Sequence, residues 1–305
     1  MFWRIHKTIF QNRLKEACNI LIATGDKIQI IEQQDIEFTP FPNDFDKTKP
    51  AFAITTIQDA NRLIKTDTGI NICYDKQNYK VSTWISYLQE LEVLNNDCYF
   101  LPLSLIIHLD SNKFPIFIKP DSGDKLFTGF IAHNPDDILS HPDIAFYMVN
   151  APETMCMIAN PKEISDIEWR LWIIDRKISG YSPYSWNKKI LLSDPPLEII
   201  ELAEKVINIE WQPNSIYTID IANEMNNKQP KIVEINAGST SGFYNADLYK
   251  ILSDIRNSIL NNNIRPCGED IYEYYCEDAG DCIHALCGEC DCESFFDDNE
   301  SLSTE

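Results

Sequence analysis

Ile216-Tyr217-Thr218-Ile219-Asp220-Ile221-Ala222 and Lys231-Ile232-Val233-Glu234-Ile235-Asn236-Ala237, separated by a polar turn over 223–230, decide the reading of this chain. Both runs alternate as half-buried strands do, and the short polar spacer makes them an antiparallel pair. Residues two apart on a strand share a face. Glu234 and Asn236 therefore project together, while Val233 and Ile235 turn toward a core. On the partner run Asp220 sits between apolar neighbours. Two carboxylates and an amide oxygen thus converge on one side. Like charges that close repel unless a cation lies between them. An all-oxygen set suits Mg²⁺, which commonly pairs one or two carboxylates with phosphate oxygens. Taken alone, the same acids also read as solvated groups on a sheet face.

Upstream lie residues of opposite charge. The β-rich run 114–119 should end at Lys119-Pro120, since proline cannot donate to a ladder. A polar loop over 121–129 follows, with Gly123, Lys125, Thr128 and Gly129. Lys119 or Lys125 can hold phosphate oxygens while loop N–H groups approach a nucleotide closely; either also reads as a surface lysine. A strand over 168–175 places Glu168 and Arg170 on one face. Arg170 offers a planar fork for phosphate, or an ion pair to a neighbouring acid. Helical spacing of apolar residues marks 195–209 and 246–260.

In this order, Phe117-Ile118-Lys119-Pro120, glycine loop, Glu168-Trp169-Arg170, Ile219-Asp220-Ile221 and Val233-Glu234-Ile235-Asn236 resemble the core of the ATP-grasp superfamily, as in glutathione synthetase. The resemblance covers residues 109–262. Its wording is most similar to a phage and bacterial ATP-grasp clade named after one arginine and two lysines, and 84–103 looks like that clade's N-terminal domain. The resemblance implies an α/β (α+β) fold. Two α+β subdomains would clasp a nucleotide, preceded by a small α/β domain over 1–108.

It also implies roles. Lys119 would contact the α/β-phosphates or the adenine side of ATP, with Lys125 as a second phosphate contact in the loop of Gly123, Thr128 and Gly129. Met157 and Ile158, in the run 155–159, would form the adenine hinge. Glu168 would sit near the ribose or hinge, and Arg170 would neutralise the γ-phosphate, making Arg170 and Lys119 the catalytic cations. Asp220, Glu234 and Asn236 would hold Mg²⁺, and 238–244 would shape the acceptor site. The upstream cation that such ligases add has no motif here; Lys80 is one candidate. The activity implied is an ATP- and Mg²⁺-dependent ligase that joins a small-molecule or peptide carboxylate to an amine through an acylphosphate, under a lid formed by 121–129. The alternatives are an ATP-binding protein-assembly factor of the same fold and an ATP-dependent phosphotransferase.

The rest of the chain sets bounds. No GxGxxG or GxxxxGKS supports another nucleotide fold. Residues 20–23 and 27–31 around Gly25-Asp26 read as a hairpin, 51–57 and 69–74 as strands, and 83–93 as an amphipathic helix. Of the net charge of −21, thirteen acids fall between Pro266 and Glu305 with no Lys or Arg among them. So acidic a chain repels nucleic-acid backbones. No run of about 18 apolar residues suggests a membrane span, and the first residues lack a secretory core, so a cytoplasmic protein is expected. Cys18, Cys73, Cys98 and Cys156 read as buried thiols. The acidic tail over 263–305 holds six more cysteines. Among them Cys287, Cys290 and Cys292 could bind Zn²⁺ or belong to a thiol-rich appendage.

Overall fold

The structure is a computed structural model and describes residues 1–32, 38–66, 68–185 and 193–262. The expectations for the tail, Zn²⁺ included, lie outside the described residues. Among those residues no helix is long and apolar enough to cross a membrane.

Three sheets form the frame. In the first, β1 (Phe2–His6) lies between β2 (Lys27–Ile31) and β3 (Ala51–Ile54), all parallel. Helices α1 (Lys7–Phe10) and α2 (Leu14–Ala23) cross from β1 to β2. The hairpin expected at 20–31 is therefore a helix end followed by a strand. Gly25 takes φ +75°, its N–H reaches Ile22 O at 2.9 Å and the Asp26 N–H reaches Leu21 O at 3.2 Å, a glycine-terminated helix stop. The short run Ile20-Leu21-Ile22-Ala23 looked like a strand because four apolar residues carry no period. Within 69–74 only Asn71 makes a ladder contact, a bridge to Phe52. Helix α3 (Ile57–Leu63) is capped by Thr56, and α4 (Val81–Leu88) ends five residues short of the expected limit.

The second sheet has the order β4-β7-β5-β6, from β4 (Tyr99–Pro102), β5 (Ile116–Pro120), β6 (Phe130–Ala132) and β7 (Met155–Ala159), all antiparallel. Helices α5 (Leu103–Ile106), α6 (Pro135–Ser140) and α7 (Pro142–Asn150) cover one face. β4 and α5 thus pack with the sheet that follows residue 108 rather than with the strands before it.

The third sheet has the order β11-β10-β8-β9, from β8 (Ile164–Ile174), β9 (Lys177–Tyr184), β10 (Ile216–Glu224) and β11 (Pro230–Ala237). The expected pairing of the two late runs is present, Thr218 opposite Asn236 and Asp220 opposite Glu234. One face, with Leu171, Ile219 and Ile235, packs on α8 (Leu197–Ile207) and α4. The opposite face is apolar only at one end, where Trp172 joins α2, α9 (Leu248–Asn262) and the first sheet. Its other end is polar and turns to the second sheet. The β8–β9 turn puts Asp175 and Arg176 at φ +46° and +60°, the left-handed pair that two-residue hairpins need. Arg176 donates to Ile207 O and Ile209 O at 3.1 and 2.8 Å, holding the turn against the end of α8.

Candidate functional site

β-pairing builds the polar end of the third sheet. Asp220 lies between Arg170 on one side and Glu234 on the other, while Glu168 faces Tyr184. One irregularity sets this up. Ile221 pairs with Ile232 but Asp220 pairs with Glu234, which leaves Val233 without an opposite residue. Strict alternation would put Glu234 on the same face as the buried Ile232; the extra residue turns Glu234 and Asn236 to the polar side.

Arg170 and Asp220 form a buried two-pronged pair, Nε to Oδ1 at 2.8 Å and Nη2 to Oδ2 at 2.7 Å. Burial disfavours the Arg170 charge, but the Asp220 carboxylate outweighs it and drives the guanidinium pKa further up. Asn236 Nδ2 donates to Asp220 Oδ2 at 2.9 Å. Glu234 reaches across to the second sheet and the glycine loop: Lys119 Nζ pairs with Oε1, and Lys125 Nζ lies 3.3 Å from Oε2. Burial pushes the Glu234 carboxyl up, yet the two lysine charges together hold it well below the usual carboxylate range.

The oxygens fit a divalent cation. Asn236 Oδ1 is buried and has no hydrogen-bond partner, a condition costing about 1–3 kcal/mol unless something satisfies it. Beside it stand two carboxylates, giving a hard all-oxygen set of the kind Mg²⁺ takes. Among the described residues no group of three or more His, Cys, Asp or Glu is arranged to hold a metal.

Other expected residues distribute as follows. Met157 pairs directly with Lys119 and shares its face, whereas Ile158 is fully buried with Ile118 on the opposite face, away from the cleft. Thr128 is exposed. Gly129 borders a cleft of about 410 Å³ between the second and third sheets, lined also by Phe117, Lys119, Lys162, Ile164 and Val233. That volume suits a small ligand or cofactor. Gly123 is buried, and a Cβ there would lie 2.9 Å from Lys76 O, so its place requires glycine. Lys80 is the N-cap residue of α4, with no side-chain hydrogen bond to the helix's first turn.

Sequence reasoning missed Lys162, which pairs with Asp97 beside the cleft, and Tyr184. The Tyr184 and Tyr244 rings stack at 4.6 Å, and Arg170 Cζ lies 5.5 and 5.1 Å from their centroids. Nothing in the linear order signals this pair, which β9 and the loop after β11 bring together.

Tyr184 OH donates to Glu168 Oε2 at 2.8 Å. Burial raises the Glu168 carboxyl pKa, the tyrosine hydroxyl opposes this, and Asp220 and Glu234 add to it. A raised carboxyl means that the folded state disfavours the ionised form. The penalty is full above the raised value, fades as pH falls from that value toward the unfolded carboxyl's, about 4.3, and is gone below it. Glu168→Gln, which keeps an acceptor for Tyr184, is therefore expected to raise the urea midpoint at pH 7.5, with the gain shrinking toward pH 3.5. Equal midpoints at pH 7.5 would count against any such penalty.

The family model that matches residues 42–255 describes an ATP-grasp domain, family 3 of the clade named after one arginine and two lysines. Among solved structures, the fold is similar to a RimK domain ATP-grasp protein from Sphaerobacter thermophilus DSM 20745, at 13% identity over 87% of this chain and 98% of that one, with a TM-score of 0.53. It is also similar to D-alanyl-alanine synthetase A from Vibrio cholerae O1 biovar eltor str. N16961, at 12% identity over 87% and 99%, TM-score 0.53. The ATP-grasp ligase PsnB, in complex with a precursor peptide and AMPPNP, aligns at 12% identity over 87% and 98%, TM-score 0.52. At these identities the likeness is one of fold. No curated protein matches the chain by sequence.

Proposed function

The chain belongs to the ATP-grasp proteins, in family 3 of the arginine-and-two-lysine clade, and from that premise we propose that it is an ATP- and Mg²⁺-dependent ligase joining a carboxylate to an amine. One observation carries the reading. Glu234 on the third sheet meets Lys119 on the second, beside Asp220, Asn236 and Arg170, and Lys119 also lines the intersheet cleft. Anionic metal ligands and phosphate-binding cations thus face each other where a triphosphate would lie.

The chemistry follows from charge. A carboxylate oxygen attacks the γ-phosphorus and ADP leaves, giving an acylphosphate. The amine nitrogen then attacks the acyl carbon, the C–O bond breaks with its electron pair going to phosphate, and the amine sheds its extra proton. Positioning and charge neutralisation dominate such transfers. Lys119 and Lys125 hold phosphate oxygens, and Arg170 offsets charge on the transferred group. Tyr184 and Tyr244 fix the guanidinium plane between the acids and the post-β11 loop. Asp220, Glu234 and Asn236 would hold Mg²⁺, which supplies charge neutralisation across the phosphates. The cleft lined by Phe117, Ile164 and Val233 suits the adenine.

The test is product analysis with ATP, Mg²⁺ and panels of carboxylates and amines. The expected result is equimolar ADP, phosphate and amide, abolished by EDTA and restored by added Mg²⁺. ADP without free phosphate would instead mean phosphoryl transfer to the acceptor. Turnover that needs a protein partner would mean an assembly factor. No ATP consumption and no ATP binding would end the nucleotide reading.

A further inference from the structure

The glycine loop was expected to be a lid, yet it is fastened to the N-terminal segment at two points. Asp121 accepts the Ser82 N–H at 2.8 Å and the Ser82 hydroxyl at 2.7 Å, in the first turn of α4. Asp124 is held more heavily. Its Oδ1 accepts from Asn61 Nδ2 at 2.8 Å and from Tyr74 OH, and its Oδ2 pairs with Lys76 Nζ at 2.6 Å. Between these two acids, Gly123 packs against the Lys76 backbone too closely to admit a Cβ. Burial pushes the Asp124 carboxyl up, but these donors together hold it below its ordinary value.

Lys125 follows directly. It takes φ +49°, a left-handed conformation costing a non-glycine residue about 1 kcal/mol or more. From there its exposed ammonium reaches Glu234 on another sheet. A strained residue on a surface loop keeps such a geometry only if its neighbours over-determine it. Asp124, the adjacent residue, is where the fastening is concentrated.

We propose that Asp124 is a positioning residue: its clamp to Asn61, Tyr74 and Lys76 sets the backbone of Lys125 so that the Lys125 ammonium is delivered to the polyphosphate end of the bound nucleotide. This rests on the nucleotide reading above and adds a division of labour within it. Lys76 is a cation spent on the loop, and the N-terminal segment tunes phosphate affinity without touching phosphate. Freed of the clamp, the backbone at Lys125 relaxes and the charge is lost from the site, while the nucleoside end, bound between the sheets, is untouched.

A double-mutant cycle with calorimetric binding tests this. ATP and adenosine are titrated into the wild type, Asp124→Ala, Lys125→Met and the double variant. Asp124→Asn serves as a second single variant of native volume, and melting curves confirm folding. Asp124→Ala is expected to weaken ATP about tenfold and leave adenosine within twofold. Asp124→Asn should lie between. In the Lys125→Met background the Asp124 substitution should cost less than twofold, because the two act as one unit. Equal losses for ATP and adenosine, or additive losses in the double variant, would overturn the proposal while leaving the nucleotide site standing. A wild type that binds no ATP would overturn both.

Discussion

Glu234→Gln is expected to slow Mg²⁺-dependent ATP turnover by about 100-fold or more, with the protein folded and ATP still bound. The substitution keeps size and one acceptor oxygen for Lys119. It removes the single carboxylate that faces both Lys119 and Lys125. Two effects then separate. The lysines, relieved of their counter-charge, attract a triphosphate at least as well as before. The metal loses an anionic ligand, so the phosphates are no longer held in line. Steady-state kinetics should show the loss in kcat, with nucleotide affinity by calorimetry equal to or tighter than that of the wild type. Turnover within threefold of the wild type would remove Glu234 from the metal set.

Asp220→Ala should cost about 3–5 kcal/mol in stability, the penalty for stripping one partner from a buried ion pair. Arg170 and Asp220 are 7% and 1% exposed, so water cannot replace the lost carboxylate. The guanidinium would stay charged and unpaired against Tyr184 and Tyr244, and Asn236 Nδ2 would lose its acceptor as well. Urea unfolding measures this. Asp220→Asn should cost less, because its amide oxygen still accepts one guanidinium N–H. Adding Arg170→Met to Asp220→Ala should recover part of the loss, since no charge is then stranded. A loss under about 1 kcal/mol for the alanine variant would mean that the pair is not sealed from solvent. Both single variants should be inactive, which separates the functional role from the structural one only in Asp220→Asn, where the fold persists.

Much of this site was legible because it is written in local alternation. The runs around Asp220 and Glu234 carry polar exceptions in otherwise apolar strands, and such exceptions are informative where burial is the rule. The Lys-Pro strand end was legible because proline has no N–H to donate to a ladder, and β5 stops at Pro120. Three things were not. The helix ending at Ala23 and the strand beginning at Lys27 flank the turn Thr24-Gly25-Asp26, and a four-residue apolar run before such a turn reads alike as a strand or a helix end. The pairing of β4 with β7 joins segments about fifty residues apart, and no residue in Tyr99–Pro102 announces its partner. The clamp on Asp124 gathers Asn61, Tyr74 and Lys76 from ordinary positions, so its function exists only after folding. Strand alternation assigned Glu234, Ile235 and Asn236 their faces but sent Val233 to the core, whereas the bulge leaves Val233 unpaired, half-buried and lining the cleft, with Ile232 buried in its stead.

That unpaired residue bends β11 as well as interrupting its pairing. Were Val233 deleted, Glu234 would follow Ile232 directly, and plain alternation would still turn the acid and Asn236 away from the core. What would go is the kink and added twist that a bulge gives its strand, and with them the angle at which the acid meets Lys119. The strand is aimed as well as packed, and its aim is set by a residue that pairs with nothing across the ladder.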